Sequence, residues 1–336
     1  MLETINFPVY YESLADYRNP EELLDSCRAL GYGIEFVWGG DDAMDALPNS
    51  CAAGYHLIFY ADWLDFWYGE EHALLRKFGS RKAWIDFYSG SDRNALIGQY
   101  RADLARAVRL GAKYVVFHVS DVSIEEGYTY RWAHSDWEVL DAAIELINLL
   151  FQSDDYPFVL LVENQWWPGF TFTDPEKTAY LLDGICYENK GIMLDIGHLM
   201  NTNLDLKSEA EGANYIHRML DTHGSLTHHI RGVHLHQSLS GAYVKSCIGR
   251  SSENIAEDYL NRFAKSYRHI LQIDQHKPWS DPSIANVIAR INPEFLTHEL
   301  ASKNRAVRET LVARQRATLI KGGLIISHGK AEPSVE

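Results

Sequence analysis

An aspartate and a histidine three residues apart, behind a short apolar run, are a natural pair of metal donors. The stretch Gly191-Ile-Met-Leu-Asp195-Ile-Gly-His198 has that form. Its apolar part reads as a β-strand covered on both faces, so Asp195 and His198 would stand above the strand's C-terminal end. Such a pair is common by chance and means little alone. Other apolar runs in the chain carry such groups too: His56 in YHLIFY and, near their ends, His118 in YVVFHVS, Glu163 in FVLLVEN, His234 and His236 in IRGVHLH, and Glu299 in PEFLTHEL. Asp274 and His276 follow between the last two. Only imidazoles and carboxylates take part, which suits zinc first, then manganese or iron(II), better than calcium or copper(I). A single histidine in a strand is usually a satisfied core residue, and a single glutamate can belong to a structural ion pair. An unpartnered carboxylate in a VLLV-type strand is costly, however. A whole series of strands, each with an ionisable group at the same end, points to a shared metal site.

The elements that must position these residues repeat a simple unit. Strands are predicted at Ile5–Tyr11, Gly33–Trp38, Tyr55–Tyr60, Tyr114–Ser120, Phe158–Asn164, the run closing at Asp195, Ile230–His236 and Pro293–Leu300. Helices are predicted between them. Asn19-Pro20 and Asp174-Pro175 are helix starts, with a capping side chain followed by proline in the first turn. Further helices are read at Asn94–Leu110 (stopped by Gly111), Asp136–Phe151, Glu209–His223 and Pro282–Ile291. Eight apolar strands alternating with helices imply a parallel sheet, and eight is the number that closes into a (β/α)8 barrel. An open doubly wound sheet is the runner-up, but no Gly-x-Gly-x-x-Gly follows any strand. The expectation is one α/β domain, a TIM barrel over residues 1–325, with 326–336 as a disordered tail. Residues 61–95 are crowded with aromatics, among them Trp63, Phe66, Trp67 and Trp84, and read as an ordered excursion that must bury itself.

Composition narrows the class. The chain has 336 residues, 46% of them hydrophobic and 23% charged, as in an ordinary globular enzyme. Acids outnumber bases 46 to 31, for a net charge of −15, and this disfavours a nucleic-acid partner. The four cysteines form no Cys-x-x-Cys pair and read as reduced thiols. Residues 1–14 carry Glu3 and Glu12 and no apolar core of a signal peptide, and no apolar stretch would span a membrane. A cytoplasmic enzyme acting on a small molecule is the simplest expectation.

The order His, His, Glu, Asp-x-x-His, His, Asp-x-His, Glu resembles that of the xylose-isomerase-like TIM barrels, and specifically their endonuclease IV branch. The matching stretches are YVVFHVS, FVLLVEN, GIMLDIGHLMNTN, IRGVHLHQS and LTHEL, and the resemblance covers about residues 5–302. It implies nine ligands for three divalent ions used in phosphodiester cleavage. His56, His118 and Glu163 would hold the first. Glu163 would bridge to a second, shared with Asp195, His234 and Glu299, and His198, Asp274 and His276 would hold the third. The chain departs from the DNA-repair members at Val119-Ser120-Asp121, Gln165-Trp166-Trp167-Pro168 and Lys277-Pro278-Trp279, and in the longer stretch between His234 and Asp274. With the net negative charge, these departures disfavour abasic-DNA repair.

The leading expectation is therefore hydrolysis of a phosphoester in a small molecule or nucleotide, at two to three divalent ions, with Glu163 and Glu299 as the catalytic carboxylates. Lys245 or Arg250 would neutralise the leaving phosphate. Trp63, Trp166, His236 and Lys245 are the candidate substrate contacts, with Trp67 and Trp167 as further stacking surfaces. Sugar isomerisation or epimerisation is the alternative; it needs one ion, held by Glu163, Asp195, His234 and Glu299. A multinuclear iron oxidase is a third reading. A passive binding module is disfavoured, because a carboxylate-rich cage is a poor passive device.

Overall fold

Short runs of β-branched and aromatic residues form eight parallel strands, closed in chain order into a barrel. They are β1 (Leu2–Pro8), β2 (Gly33–Val37), β3 (Gly54–His56), β4 (Tyr114–His118), β5 (Val159–Glu163), β6 (Lys190–Asp195), β7 (Ile230–Leu235) and β8 (Phe295–His298). The sheet closes because β1 pairs in parallel with both β2 and β8. Helices lie between successive strands. This computed structural model describes residues 1–152, 155–249 and 258–325, so the predicted tail lies outside the described residues. No helix among them is long and apolar enough to cross a membrane.

The helix starts follow from local chemistry. Asn19 Oδ1 accepts from Glu22 N at 2.9 Å ahead of Pro20–Ala29, and Ser135 and Glu138 form a capping box on Asp136–Phe151. Gly111 ends Asn94–Leu110 at φ +70°, a conformation that glycine adopts without a steric penalty. Several strands are shorter than expected. β3 stops at His56 because the Ile58 amide donates to Asp103 Oδ2 at 2.5 Å instead of continuing the ladder. β1 is shifted and not shortened, running over the seven residues Leu2–Pro8 against the predicted Ile5–Tyr11. The last crossover helix begins at Ile284, not at Pro282.

The barrel interior is layered. At its N-terminal end Tyr114, Val116, Val159, Leu161, Met193 and Phe295 form an apolar plug. Above it lies a buried polar layer: Tyr114 Oη donates to Glu35 Oε2 at 2.8 Å, Thr297 Oγ1 donates to the same oxygen at 3.1 Å, and Thr4 and Thr297 bond at 2.7 Å. His234 Nε2 reaches Glu35 Oε2 from the other side at 3.1 Å. The C-terminal ends of the strands come next.

The aromatic excursion folds into three short helices, Leu64–Tyr68, Glu71–Phe78 and Arg81–Tyr88. Its rings pack on one another, Phe66 on Tyr88 at 4.0 Å between centroids, and on the later helix Tyr259–Ile273, Phe78 on Tyr259 at 3.9 Å. His134 pins the excursion to the barrel, with Nδ1 2.9 Å from Asp121 Oδ2 and Nε2 3.4 Å from Asp65 Oδ1. Asp121 Oδ1 in turn accepts from the amides of Trp63 and Leu64. Hydrogen bonds to Asp121 and Asp65 raise the His134 imidazole to about 10. Because the folded value is the higher one, this contribution is complete below about pH 6.5 and is lost as pH rises through about 10. His134→Ala is expected to lower unfolding free energy by about 2 kcal/mol at pH 6. The difference from wild type should close by pH 11, as read by denaturant titration at both pH values.

Candidate metal centre

The strand register brings the polar strand ends together: His118 pairs with Glu163 across β4 and β5, and Asp195 with His234 across β6 and β7. Three clusters of donor atoms result among the described residues. They are His56, His118 and Glu163; then Glu163, Asp195, His234 and Glu299; then His198, His236, Asp274 and His276, each with one donor atom per residue inside a 4.8 Å span. Glu163 belongs to two of them.

In the first cluster His56 Nδ1 donates to Leu57 O at 2.9 Å, leaving Nε2 bare. That Nε2 lies 3.0 Å from His118 Nε2 and 3.3 Å from Glu163 Oε2, and His118 Nε2 lies 3.0 Å from the same oxygen. Metal–nitrogen bonds of about 2.0–2.1 Å in a tetrahedral arrangement place donor atoms roughly 3.3 Å apart, so this triangle has the size of a cation site. In the second cluster His234 Nδ1 lies 3.4 Å from Glu163 Oε1, 2.9 Å from Glu299 Oε2 and 3.7 Å from Asp195 Oδ2. Asn6 donates to Glu299 Oε1 at 3.2 Å, while Glu299 Oε2 is buried and accepts no hydrogen bond. Asn164 and Asp195 exchange bonds, Asn164 Nδ2 to Asp195 O and Asp195 N to Asn164 Oδ1.

In the third cluster His198 Nδ1 donates to Asn164 O at 3.0 Å and its Nε2 lies 3.3 Å from Asp274 Oδ2. His276 Nε2 lies 2.5 Å from the same oxygen. His276 sits at φ +44°, a strained setting for a residue with a Cβ. Asp274 and His276 return to the barrel because Gln237 and Lys277 form an antiparallel bridge, with bonds of 2.8 and 3.2 Å, and Ala301 N donates to His276 O.

The electrostatics match a cation site. Burial pushes the His234 imidazole down, but Glu35, Glu299 and Glu163 outweigh it and hold it well above its ordinary value. His198 is raised against its burial by Asp195 and Asp274, and His276 is raised to about 9 by Asp274. Burial would lift Glu163 and Asp274, yet the surrounding imidazoles hold both well below the usual carboxylate range. The carboxylates thus retain positive charge on their neighbours, and divalent ions would supply it in place of those protons. With the unbonded Glu299 oxygen and the donor triangle, the residues fit such ions.

The nine predicted ligands therefore converge. His56, His118, His198, Asp274, His276 and Glu299 line a cavity of about 590 Å³, walled by Phe59, Trp166, Trp167, Tyr259, Phe263 and Tyr267. Glu163, Asp195, His234 and His236 lie beneath it, each 1% exposed or less. Trp166 is on the cavity wall, its ring 5.0 Å from that of His198. Trp63 is not on the wall: it is buried, with Nε1 donating to Ser120 O. Lys245 is half-exposed and paired with Asp205, away from the cavity. Arg250 lies outside the described residues. Sequence reasoning missed Glu35, which holds His234, and Asn6, which holds Glu299. Glu35 carried a usable signal, a glutamate inside the apolar run GIEFVW.

Residues 24–279 match the model of the xylose isomerase-like TIM barrel family. No curated protein matches the sequence. Among solved structures, endonuclease IV from Thermus thermophilus aligns with 96% of this chain and 100% of its own at 15% identity and TM-score 0.50. The AsfvAP:AG structure aligns over 95% and 98% at 13% identity and TM-score 0.52. A D-tagatose 3-epimerase-like protein aligns over 94% and 88% at 15% identity and TM-score 0.47. At these identities the first two likenesses are of fold alone.

Proposed function

The chain belongs to the xylose isomerase-like TIM barrel family, and from that premise we propose that it hydrolyses a phosphoester of a small molecule or nucleotide at a cluster of divalent ions. The observation that supports this most is Glu163, whose two oxygens face separate donor clusters, Oε2 toward His56 and His118 and Oε1 toward His234. A shared carboxylate of this kind suits adjacent ions. Bound there, divalent ions supply water activation near neutral pH and charge stabilisation at phosphoryl oxygens. Zinc is the first choice for this donor set, with manganese or iron(II) next.

The protein's own part is positioning and proton handling. Glu163 holds its four histidine neighbours in one buried array. Glu299, anchored by Asn6 through Oε1, presents Oε2 to the central cluster, 2.9 Å from His234 Nδ1, where a carboxylate can take the proton of the attacking water. The aromatic wall excludes bulk water and suits a substrate with a flat or apolar part.

A one-ion sugar isomerase or epimerase is the second reading, favoured by the completeness of Glu163, Asp195, His234 and Glu299 as a single-ion set. Metal analysis of protein purified without chelator separates the two. Two to three ions per chain are expected, together with phosphoester turnover that His234→Ala abolishes. One ion per chain with sugar turnover would replace the hydrolase reading.

A further inference from the structure

The geometry points to His236 as a fourth protein donor to the cluster of His198, Asp274 and His276, making that cluster a closed structural site. The inference rests on the multinuclear reading above and deepens it. His236 stands two residues after His234, so strand alternation sends both imidazoles to the barrel's interior end. Its Nε2 lies 2.9 Å from Asp195 Oδ2, and a carboxylate can only accept, so Nε2 donates this bond. That bond orients the ring and leaves Nδ1 as the nitrogen available to a metal ion.

The His236 side chain is fully buried, its Nδ1 has no hydrogen-bond partner among the described residues, and Asp274 Oδ1 lies 3.9 Å away. A divalent cation beside Asp274 would be within reach of this nitrogen together with His198 and His276, since one donor atom of each residue lies within a 4.8 Å span. The His236 ring is stacked on His276, centroids 4.1 Å apart and planes 8° from parallel, so the two imidazoles stand side by side next to Asp274. Gly197 makes the placement feasible: a Cβ there would meet His236 Cε1 at 1.9 Å. A substrate-contact role fits less well, because His236 lies beneath the cavity and is absent from its wall.

The number of donors decides the role. Structural zinc sites use four protein ligands, whereas catalytic sites keep one position open. With His236 included, the third ion fastens the Asp274–His276 segment to the barrel, and the chemistry falls to the pair of clusters that share Glu163. His236 also ties the two regions together, since its other nitrogen holds Asp195 of the central cluster.

The test is zinc content after dialysis and competition against a chromophoric chelator, for wild type and His236→Gln. Glutamine retains an N–H donor for Asp195 and lacks the imidazole lone pair. Wild type should hold three ions and H236Q two, the lost ion binding at least about 100-fold more weakly. Gly197→Ala, which displaces the ring without removing it, should lose the same ion, and it covers the case in which H236Q does not fold. Three ions of unchanged affinity in either folded variant would overturn the role of His236 and leave the multinuclear reading standing. A single ion in wild type would overturn that reading, and the present inference with it.

Discussion

Glu163→Gln is expected to lower phosphoester turnover by about 10³-fold and to strip the protein of two of its ions. The residue is 1% exposed, and its oxygens lie 3.0–3.4 Å from four imidazoles: His118 and His56 on one side, His198 and His234 on the other. An amide preserves the shape but removes the charge, and it turns one of the two acceptors into a donor aimed at nitrogen lone pairs. Neither cluster that shares Glu163 can then be completed. Metal analysis should find only the ion at His198, Asp274 and His276, and circular dichroism should be unchanged. A variant that keeps all its ions would show that Glu163 is not shared between sites.

Glu35→Gln should weaken the central ion by about 10- to 100-fold without touching any ligand. Glu35 Oε2 accepts from Tyr114, Thr297 and His234, so it fixes which His234 nitrogen carries the proton and which faces the carboxylates above. Loss of its charge makes the Nδ1 lone pair less basic and lets the ring turn. The expected signature is graded loss of one ion in chelator competition, with the other two unaffected. Equal loss at all three sites would mean a general effect on the barrel.

Much of this was legible in the sequence because a barrel strand is a poor place for a charge. Runs such as VLLVE and YVVFH make their terminal glutamate and histidine conspicuous, and parallel register then brings those ends to one face whatever the exact boundaries. Boundaries were less legible, since they depend on distant acceptors: nothing near Ile58 announces that Asp103 will take its amide. Glu35 escaped because it lies mid-strand, facing down the barrel axis instead of ending a run. The loop residues were the least legible. Trp63 and Lys245 occupy suitable segments, but side-chain direction is set by packing, and here Ser120 and Asp205 claim them.

The bridge between Gln237 and Lys277 has a consequence for how this protein could change. It clamps both ends of the segment that carries the helix Tyr259–Ile273, one wall of the cavity, while Asp274 and His276 stand just inside its footing. Doubling the length of a loop whose ends are fixed costs only about 0.6 kcal/mol. The bridge therefore fixes the two metal donors at the foot of the wall independently of how long the wall above them is, so a change of length there alters the cavity before it alters the metal-binding floor.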